Sequence, residues 1–156
     1  MSDQSFLSLI HNASLLLALV FLYDVLVSWR KLEEIRAFQI LLGILLGGIG
    51  IVLMLTPWVM VPGIIFDTRS VLLGVSGLFF GPIPTVIAMA MTAVFRIFQG
   101  GAATWMGVSV IITTGLIGIL WRHFSRKSAN EIPFTELYLF GLVIHVDMLL
   151  CTLVLP

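Results

Sequence analysis

Three charged side chains, Asp67, Arg69 and Arg96, stand in long apolar stretches of the sequence. A charge near the centre of a bilayer costs at least about 2.5–3.5 kcal/mol, so it usually faces a cavity or a partner. Arginine stays charged, and its planar fork of donors matches a carboxylate or a phosphate. Two guanidinium groups and one carboxylate leave a net positive charge, which a small anion would complete. The alternative is a structural salt bridge from Asp67 to one arginine, with the other arginine reaching the lipid headgroups.

Three more residues join these charges as candidate ligand contacts: Asn12, Gly100 and Gly101. Gly100 and Gly101 follow Arg96 by one helical turn, and a glycine pair lets the backbone turn or approach a ligand closely. Asn12 supplies a polar group inside the first apolar run. The six residues together form the candidate ligand site.

The sequence contains no recognisable catalytic or metal-binding set. His145 and Asp147 are two positions apart, so on a helix they point to different faces. The sequence has no His-Glu-x-x-His motif and no serine with a plausible His/Asp partner. We therefore expect no enzymatic activity, no metal and no cofactor.

The composition assigns the chain to the membrane. Hydrophobic residues make up 60% of its 156 positions and charged residues only 10%, whereas soluble domains have about 25% charged residues. This excludes a soluble globular domain, and high hydrophobicity excludes a disordered segment. Eight basic and eight acidic residues balance, which argues against nucleic-acid binding. The single cysteine, Cys151, cannot form an internal disulfide.

Apolar runs of about 20 residues are long enough to span a bilayer as helices. The sequence predicts an all-α integral membrane protein, a bundle of about six transmembrane helices with two short central spans. We expect one receptor module over residues 1–156, with spans near 6–29, 37–55, 62–80, 84–99, 104–121 and 134–155. A third span that starts near Pro62 places Asp67 and Arg69 in its outer part.

The Gly81–Pro84 segment decides the predicted topology. Short loops rich in Lys and Arg stay in the cytoplasm, and the chain has two, at 30–36 and within 122–133. They share a face only if the chain turns at Gly81–Pro84, where Pro82 and Pro84 disfavour a continuous helix. The N-terminus is then outside. We expect Arg69 and Arg96 to lie at a similar depth in the membrane, because each is 12 residues from this turn.

Small residues at helical spacing predict close helix contacts. Gly77 and Gly81 form one such pair, and Gly43 with Gly47 and Gly115 with Gly118 form two others. We interpret these glycines as packing residues rather than ligand contacts.

These motifs resemble a known family. The Asp67-x-Arg69 motif, the Gly81-Pro82 turn and Arg96 followed by Gly100-Gly101 are similar to the five-transmembrane receptor region of the LytS/YhcK type. The resemblance is sharp over about residues 62–122 and looser elsewhere. Many members have Asn where this chain has Asp67, so a ligand should not be carried over from an Asn-type member.

The resemblance implies the sensory module of a bacterial histidine kinase or diguanylate cyclase. It implies a multi-pass protein of the bacterial inner membrane that signals to a cytoplasmic output domain and works as a homodimer. The expected partners are the lipid bilayer and a small, anionic ligand near the outer face. The chain has no output-domain sequence, and its bare apolar end at Pro156 predicts truncation before a final helix.

Two other interpretations remain open on the sequence. One is the substrate-binding membrane component of an energy-coupling-factor transporter, which fits the size and topology. The Ala-xxx-Ala patch typical of those components is missing, since Ala13 and Ala18 are five apart. The other is a structural membrane subunit that binds no ligand.

Overall fold

The computed structural model describes residues 10, 13–14, 17, 21, 35–55, 58–61, 64–66, 68–101, 103–125 and 131–154. These residues contain five helices and one hairpin: α1 Arg36–Leu55, β1 Trp58–Val61, β2 Ile64–Phe66, α2 Arg69–Phe80, α3 Pro82–Gln99, α4 Thr104–Ser125 and α5 Phe134–Val154. We name the two ends of the bundle after the turns they contain, the Gly81 end and the Gly100 end. The predicted span 6–29 lies mostly outside the described residues, and its described positions are helical.

Helices α1 and α3 pack extensively against each other. A Cβ added to Gly43 would lie 2.9 Å from the carbonyl oxygen of Pro84, and one on Gly47 would lie 2.6 Å from Sδ of Met91. Apolar side chains gain little by leaving lipid for a helix interface, so close backbone approach at small residues stabilises such pairs. The contacts advance in the same direction along both helices, which makes α1 and α3 parallel.

The chain reverses direction at a single residue between α2 and α3. Helix α2 ends at Phe80, Gly81 has φ 87° and ψ −172°, and α3 starts at Pro82. The first helical position tolerates proline because its N–H would have no partner in the helix. Pro84 also lies inside the first turn of α3. The turn is therefore shorter than the Gly81–Pro84 segment that the sequence predicted.

Helix α2 is shorter than predicted, because it begins at Arg69 and not near residue 62. The preceding residues form an antiparallel hairpin, with Val59 opposite Ile65. Its β-branched residues favour strands, and the Pro62-Gly63 sequence between the strands is a turn signal. An apolar run alone does not distinguish strand from helix. The 12 residues of α2 extend about 18 Å, less than the roughly 30 Å of a hydrocarbon core.

Helices α2 and α4 meet backbone to backbone. A Cβ on Gly77 would lie 2.6 Å from the backbone nitrogen of Ile119 and 2.7 Å from the carbonyl carbon of Gly118. Leu72 and Leu73 of α2 and Ile111 of α4 belong to the main buried cluster. Helix α2 is thus enclosed on several sides and holds its first residue, Arg69, inside the bundle.

Helix α5 attaches at the side of this core. Phe140 and Ile144 are buried and form a second cluster with Leu78. The Trp121 ring of α4 meets the Phe140 ring edge-on, with centroids 5.4 Å apart. Most of the remaining α5 surface is exposed and apolar, which suits contact with lipid acyl chains.

The architecture is that of a membrane bundle. Helices α1, α3, α4 and α5 are each long and apolar enough to cross a bilayer, and α2 is a shorter apolar helix. The predicted all-α membrane fold is confirmed, with five helices in the described part of the chain instead of about six. The small hairpin is an addition that the sequence did not predict.

Two basic residues mark the Gly81 end. Arg36 begins α1, which runs parallel to α3 and therefore starts at this end. Arg122, in the last turn of α4, donates from Nη1 to the carbonyl oxygens of Leu78 at 3.1 Å and Phe79 at 2.6 Å. The segments that contain Arg36 and Arg122 thus lie at the same end of the bundle, as a chain reversal at Gly81 requires.

Candidate functional site

Arg69 lies at the Gly100 end, as the first residue of α2, and only 7% of its surface is exposed. The preceding Thr68 makes no side-chain capping hydrogen bond, and the first turn contains no acidic residue. A helix N-terminus carries a positive partial charge and favours anions. Arg69 adds a full positive charge at this position, so its charge and the helix dipole have the same sign.

Arg96 occupies the last turn of α3 and is half-buried. Its Nη1 donates to Oε1 of Gln99 at 3.4 Å, and its Nη2 donates to the carbonyl oxygen of Ala103 at 3.1 Å. Its buried Nε has no hydrogen-bond partner in the described part of the chain. A guanidinium has five N–H donors, so Arg96 keeps donors for a further acceptor.

Gly107 of α4 makes room for the Arg96 side chain. A Cβ at position 107 would lie 2.6 Å from Nε of Arg96 and 3.2 Å from its Cδ. The guanidinium therefore crosses α4 where this helix has no side chain. This contact holds Arg96 between α3 and α4 and not in the lipid.

The two arginines lie at a similar level of the bundle. A Cβ on Gly50 would lie 2.6 Å from Cγ2 of Thr92 and 3.4 Å from Cδ2 of Leu72. Arg96 is one turn beyond Thr92 along α3, and Arg69 is one turn before Leu72 along α2. Because α2 and α3 are joined by a reversal, both steps lead toward the Gly100 end. The structure thus brings both arginines to one end, in agreement with their equal spacing from the two ends of the Gly81–Pro84 segment.

Gly100 and Gly101 form the turn after α3. Their φ angles are 65° and 96°, and Gly100 has ψ −158°, a combination open almost only to glycine. A Cβ on either residue would meet nothing within 4 Å. These glycines are therefore required for their backbone conformation and not for close packing.

Gln99 is a residue beside the candidate ligand site whose contacts the sequence analysis missed. Its Nε2 donates to the carbonyl oxygen of Met54 at 3.3 Å, and its Oε1 accepts from Arg96. Met54 lies in the last turn of α1, where carbonyl groups lack partners within the helix. A polar residue three positions after Arg96 in an apolar helix was the available signal, but its partner lies 45 positions away.

Two of the predicted ligand contacts, Asn12 and Asp67, lie outside the described residues. The predicted turn and packing residues are all at or near the Gly81 end: Gly77, Gly81, Pro82 and Pro84. The described candidate ligand residues, Arg69, Arg96, Gly100 and Gly101, are all at the Gly100 end. These four turn and packing residues and the described candidate ligand residues therefore lie at opposite ends of the bundle.

His145 and Asp147 of α5 point to different sides, as their spacing predicted. His145 is exposed, and its Nδ1 lies 2.7 Å from the carbonyl oxygen of Gly141. Asp147 faces α4, where the hydroxyl of Thr113 donates to its Oδ2 at 2.7 Å. Asp147 thus contributes to the attachment of α5 to α4, a role that the sequence analysis did not assign.

Glu136 also joins α5 to α4, at the Gly81 end. Its Oε1 accepts from Nε1 of Trp121 at 3.2 Å and from Oγ of Ser125 at 2.6 Å. These residues border an open groove of about 470 Å³, lined also by Ile117, Leu120 and Phe124. The groove contains none of the candidate ligand residues. Within the described residues, no three His, Cys, Asp or Glu side chains gather as metal ligands.

Comparison with known proteins supports the resemblance seen in the sequence. The model of the family described as 5TMR of 5TMR-LYT matches residues 20–156. No curated protein and no solved structure matches the chain. The match extends through α1 to α5 and includes both arginines.

Proposed function

This chain belongs to the 5TMR-LYT family of membrane sensory modules, and we propose that it binds a small anion at the Gly100 end, between α2, α3 and α4. It is a multi-pass membrane protein whose family matches a role in signal transduction. The proposed residues in contact with the anion are Arg69 and Arg96. Asp67, Asn12 and the Gly100-Gly101 backbone are the proposed surroundings.

One observation carries this proposal: two arginines and a helix N-terminus lie at a similar level of an apolar bundle. Arg69 is 7% exposed at the start of α2, and Arg96 is half-buried with donors still available. Charge–charge interactions are stronger away from water because the effective dielectric constant is lower. An anion bound at this level would interact favourably with both guanidinium groups and with the N-terminus of α2.

The bundle offers a way to convert binding into a signal. Arg69 and Arg96 belong to different helices, and Arg96 also lies against Gly107 of α4. A bound ligand shifts a conformational equilibrium only if it binds one state more tightly. We propose that the anion favours the state in which α2, α3 and α4 are drawn together at the Gly100 end.

The proposed orientation follows from the basic residues at the other end. Arg36 and Arg122 lie at the Gly81 end, and loops rich in Lys and Arg face the cytoplasm. The Gly100 end then faces outward in the bacterial inner membrane, with the N-terminus outside and loops 30–36 and 122–133 in the cytoplasm. The proposed signal passes to a cytoplasmic kinase or cyclase domain within a homodimer.

A stability screen with small anions tests the proposal. The purified protein is reconstituted in nanodiscs, and its melting temperature (Tm) is measured with inorganic phosphate, phosphate esters and carboxylates of one to six carbons. At an anion concentration of 100 times its Kd, binding stabilises the folded state by about 2.7 kcal/mol. We expect this increment in the wild type and its loss in Arg69→Gln and Arg96→Gln.

Arg36→Gln is the matched control, because Arg36 is an exposed arginine at the Gly81 end. It removes the same charge and should keep the full anion-dependent increase in Tm. If no anion in the screen stabilises the wild type, or if the double variant Arg69→Gln/Arg96→Gln keeps the increase, the arginines are structural and the proposal is wrong.

A further inference from the structure

Gln99 stands between the proposed anion site and the end of α1. It is the last residue of α3, and its amide group has one hydrogen bond on each side. Nε2 donates to the carbonyl oxygen of Met54 in α1, and Oε1 accepts from Nη1 of Arg96. Three parts of the site are joined in this way, since Arg96 also donates to the loop carbonyl of Ala103.

The bond to Met54 satisfies a helix end. The last four carbonyl groups of a helix have no partner within it, and Met54 is the penultimate residue of α1. Near a bilayer, a backbone carbonyl without a partner is costly. Gln99 therefore caps α1 from the neighbouring helix, at the Gly100 end of the extensively packed α1–α3 pair.

The bond to Arg96 fixes the direction of this amide. A guanidinium only donates, so it must face the oxygen of the Gln99 amide and not the NH₂ group. The NH₂ group is thereby directed to the Met54 carbonyl. If Arg96 is engaged elsewhere, nothing in this pair of contacts prevents the amide from rotating away from α1.

We infer that Gln99 is a positioning residue that couples the state of Arg96 to the end of α1. This inference rests on the proposed function for its trigger: a bound anion competes with Oε1 of Gln99 for Nη1 of Arg96. A charged acceptor binds a guanidinium more strongly than a neutral amide does. Anion binding then releases the Gln99 cap and loosens the last turn of α1.

Hydrogen exchange of the α1 end tests the coupling without any anion. Amide exchange of residues 52–55 and of the preceding turn is measured in nanodiscs for the wild type, Gln99→Leu, Arg96→Gln and the double variant. We expect each single variant to exchange about three- to tenfold faster in this segment. The double variant should exchange no faster than either, because both substitutions break the same chain of contacts.

The neighbouring Phe98→Leu is the matched control, since the Phe98 side chain is 85% exposed on the same helical turn. It should leave exchange in residues 52–55 unchanged, and residues 86–92 should be unaffected in every variant. The coupling would be overturned if residues 52–55 exchanged at the wild-type rate in Arg96→Gln. It would also be overturned if the increases in exchange rate from the two substitutions added up in the double variant.

A second arm adds the anion that most strongly stabilises the wild type in the screen described above. It should accelerate exchange of residues 52–55 in the wild type but not in Gln99→Leu, which should bind that anion at least as tightly. Equal acceleration in both proteins would overturn the role of Gln99.

If the anion binds but leaves wild-type exchange unchanged, the trigger is wrong. If no anion binds at all, only the proposed function fails, and the variant arm still decides the coupling.

Discussion

An arginine lies at each end of α2, Arg69 from the helix itself and Arg122 from α4, and the helix dipole has opposite signs at the two positions. Arg122 reaches the C-terminus of α2 and donates to the carbonyl oxygens of Leu78 and Phe79, where the helix dipole is negative. Arg69 lies at the N-terminus of the same helix, where the dipole is positive. One arginine is electrostatically matched to α2, and the other is not.

This difference separates a structural cation from a candidate functional one. Arg122 neutralises a helix end formed by protein groups, and a Cβ added to Gly81 would lie 3.7 Å from Cζ of its guanidinium. Arg69 adds positive charge at the positive end of the α2 dipole, and Arg96 brings a second guanidinium to the same end of the bundle. Proteins keep such locally unfavourable arrangements mainly at functional sites, which is why the Gly100 end is the proposed ligand site.

We expect the largest effect on stability from the replacement of Arg122, the arginine at the C-terminus of α2. Arg122→Gln removes a charged donor from two helix-end carbonyls, and we expect a loss of about 2–3 kcal/mol in unfolding free energy. The anion-dependent increase in Tm should remain, because the Gly100 end is unchanged. Thermal unfolding in nanodiscs, with and without the anion, measures both quantities. A stability equal to the wild type would show that this cap contributes nothing.

The two turn glycines allow a second comparison. Gly81 and Gly100 both have positive φ with ψ near 180°, so alanine at either position should cost about 1–3 kcal/mol in backbone strain. Gly100→Ala should in addition weaken anion binding, because this turn follows Arg96 directly, whereas Gly81→Ala should leave the Kd unchanged. Anion titrations of both variants measure this, and equal Kd values would remove Gly100 from the site.

A smaller effect on anion affinity is expected when the space between Arg96 and α4 is filled. Gly107→Ala places a methyl group 2.6 Å from Nε of Arg96 and must move the guanidinium. We expect about a tenfold increase in Kd, or about 1.4 kcal/mol. Gly141→Ala is the control, since a Cβ there meets nothing within 4 Å. An unchanged Kd in Gly107→Ala would show that the observed position of Arg96 is not the binding position.

The sequence predicted those features that depend on local chemistry. The reversal between α2 and α3 follows from a glycine before a proline, and the turn after α3 from adjacent glycines. The resemblance to LytS-type receptor regions is confirmed by the family match. The predicted start of α2 was wrong, because an apolar run such as residues 58–66 does not by its periodicity distinguish a strand from a helix.

The sequence analysis did not predict contacts between residues that are far apart in the chain. The pairs Gln99 with Met54, Thr113 with Asp147 and Arg122 with Leu78 each join residues more than 30 positions apart. A single sequence does not encode such pairings in its spacing. Arg122 was accordingly interpreted only as a loop charge that sets the topology, although the structure also shows it capping α2.

The affinity of the strongest anion for Arg96→Gln and for Arg122→Gln tests the central claim most directly. Isothermal titration calorimetry of the two variants and the wild type in nanodiscs gives the three Kd values. We predict a Kd within threefold of the wild type for Arg122→Gln and an increase of at least 100-fold for Arg96→Gln. Equal Kd values for the two variants would contradict the assignment of the Gly100 end as the anion site.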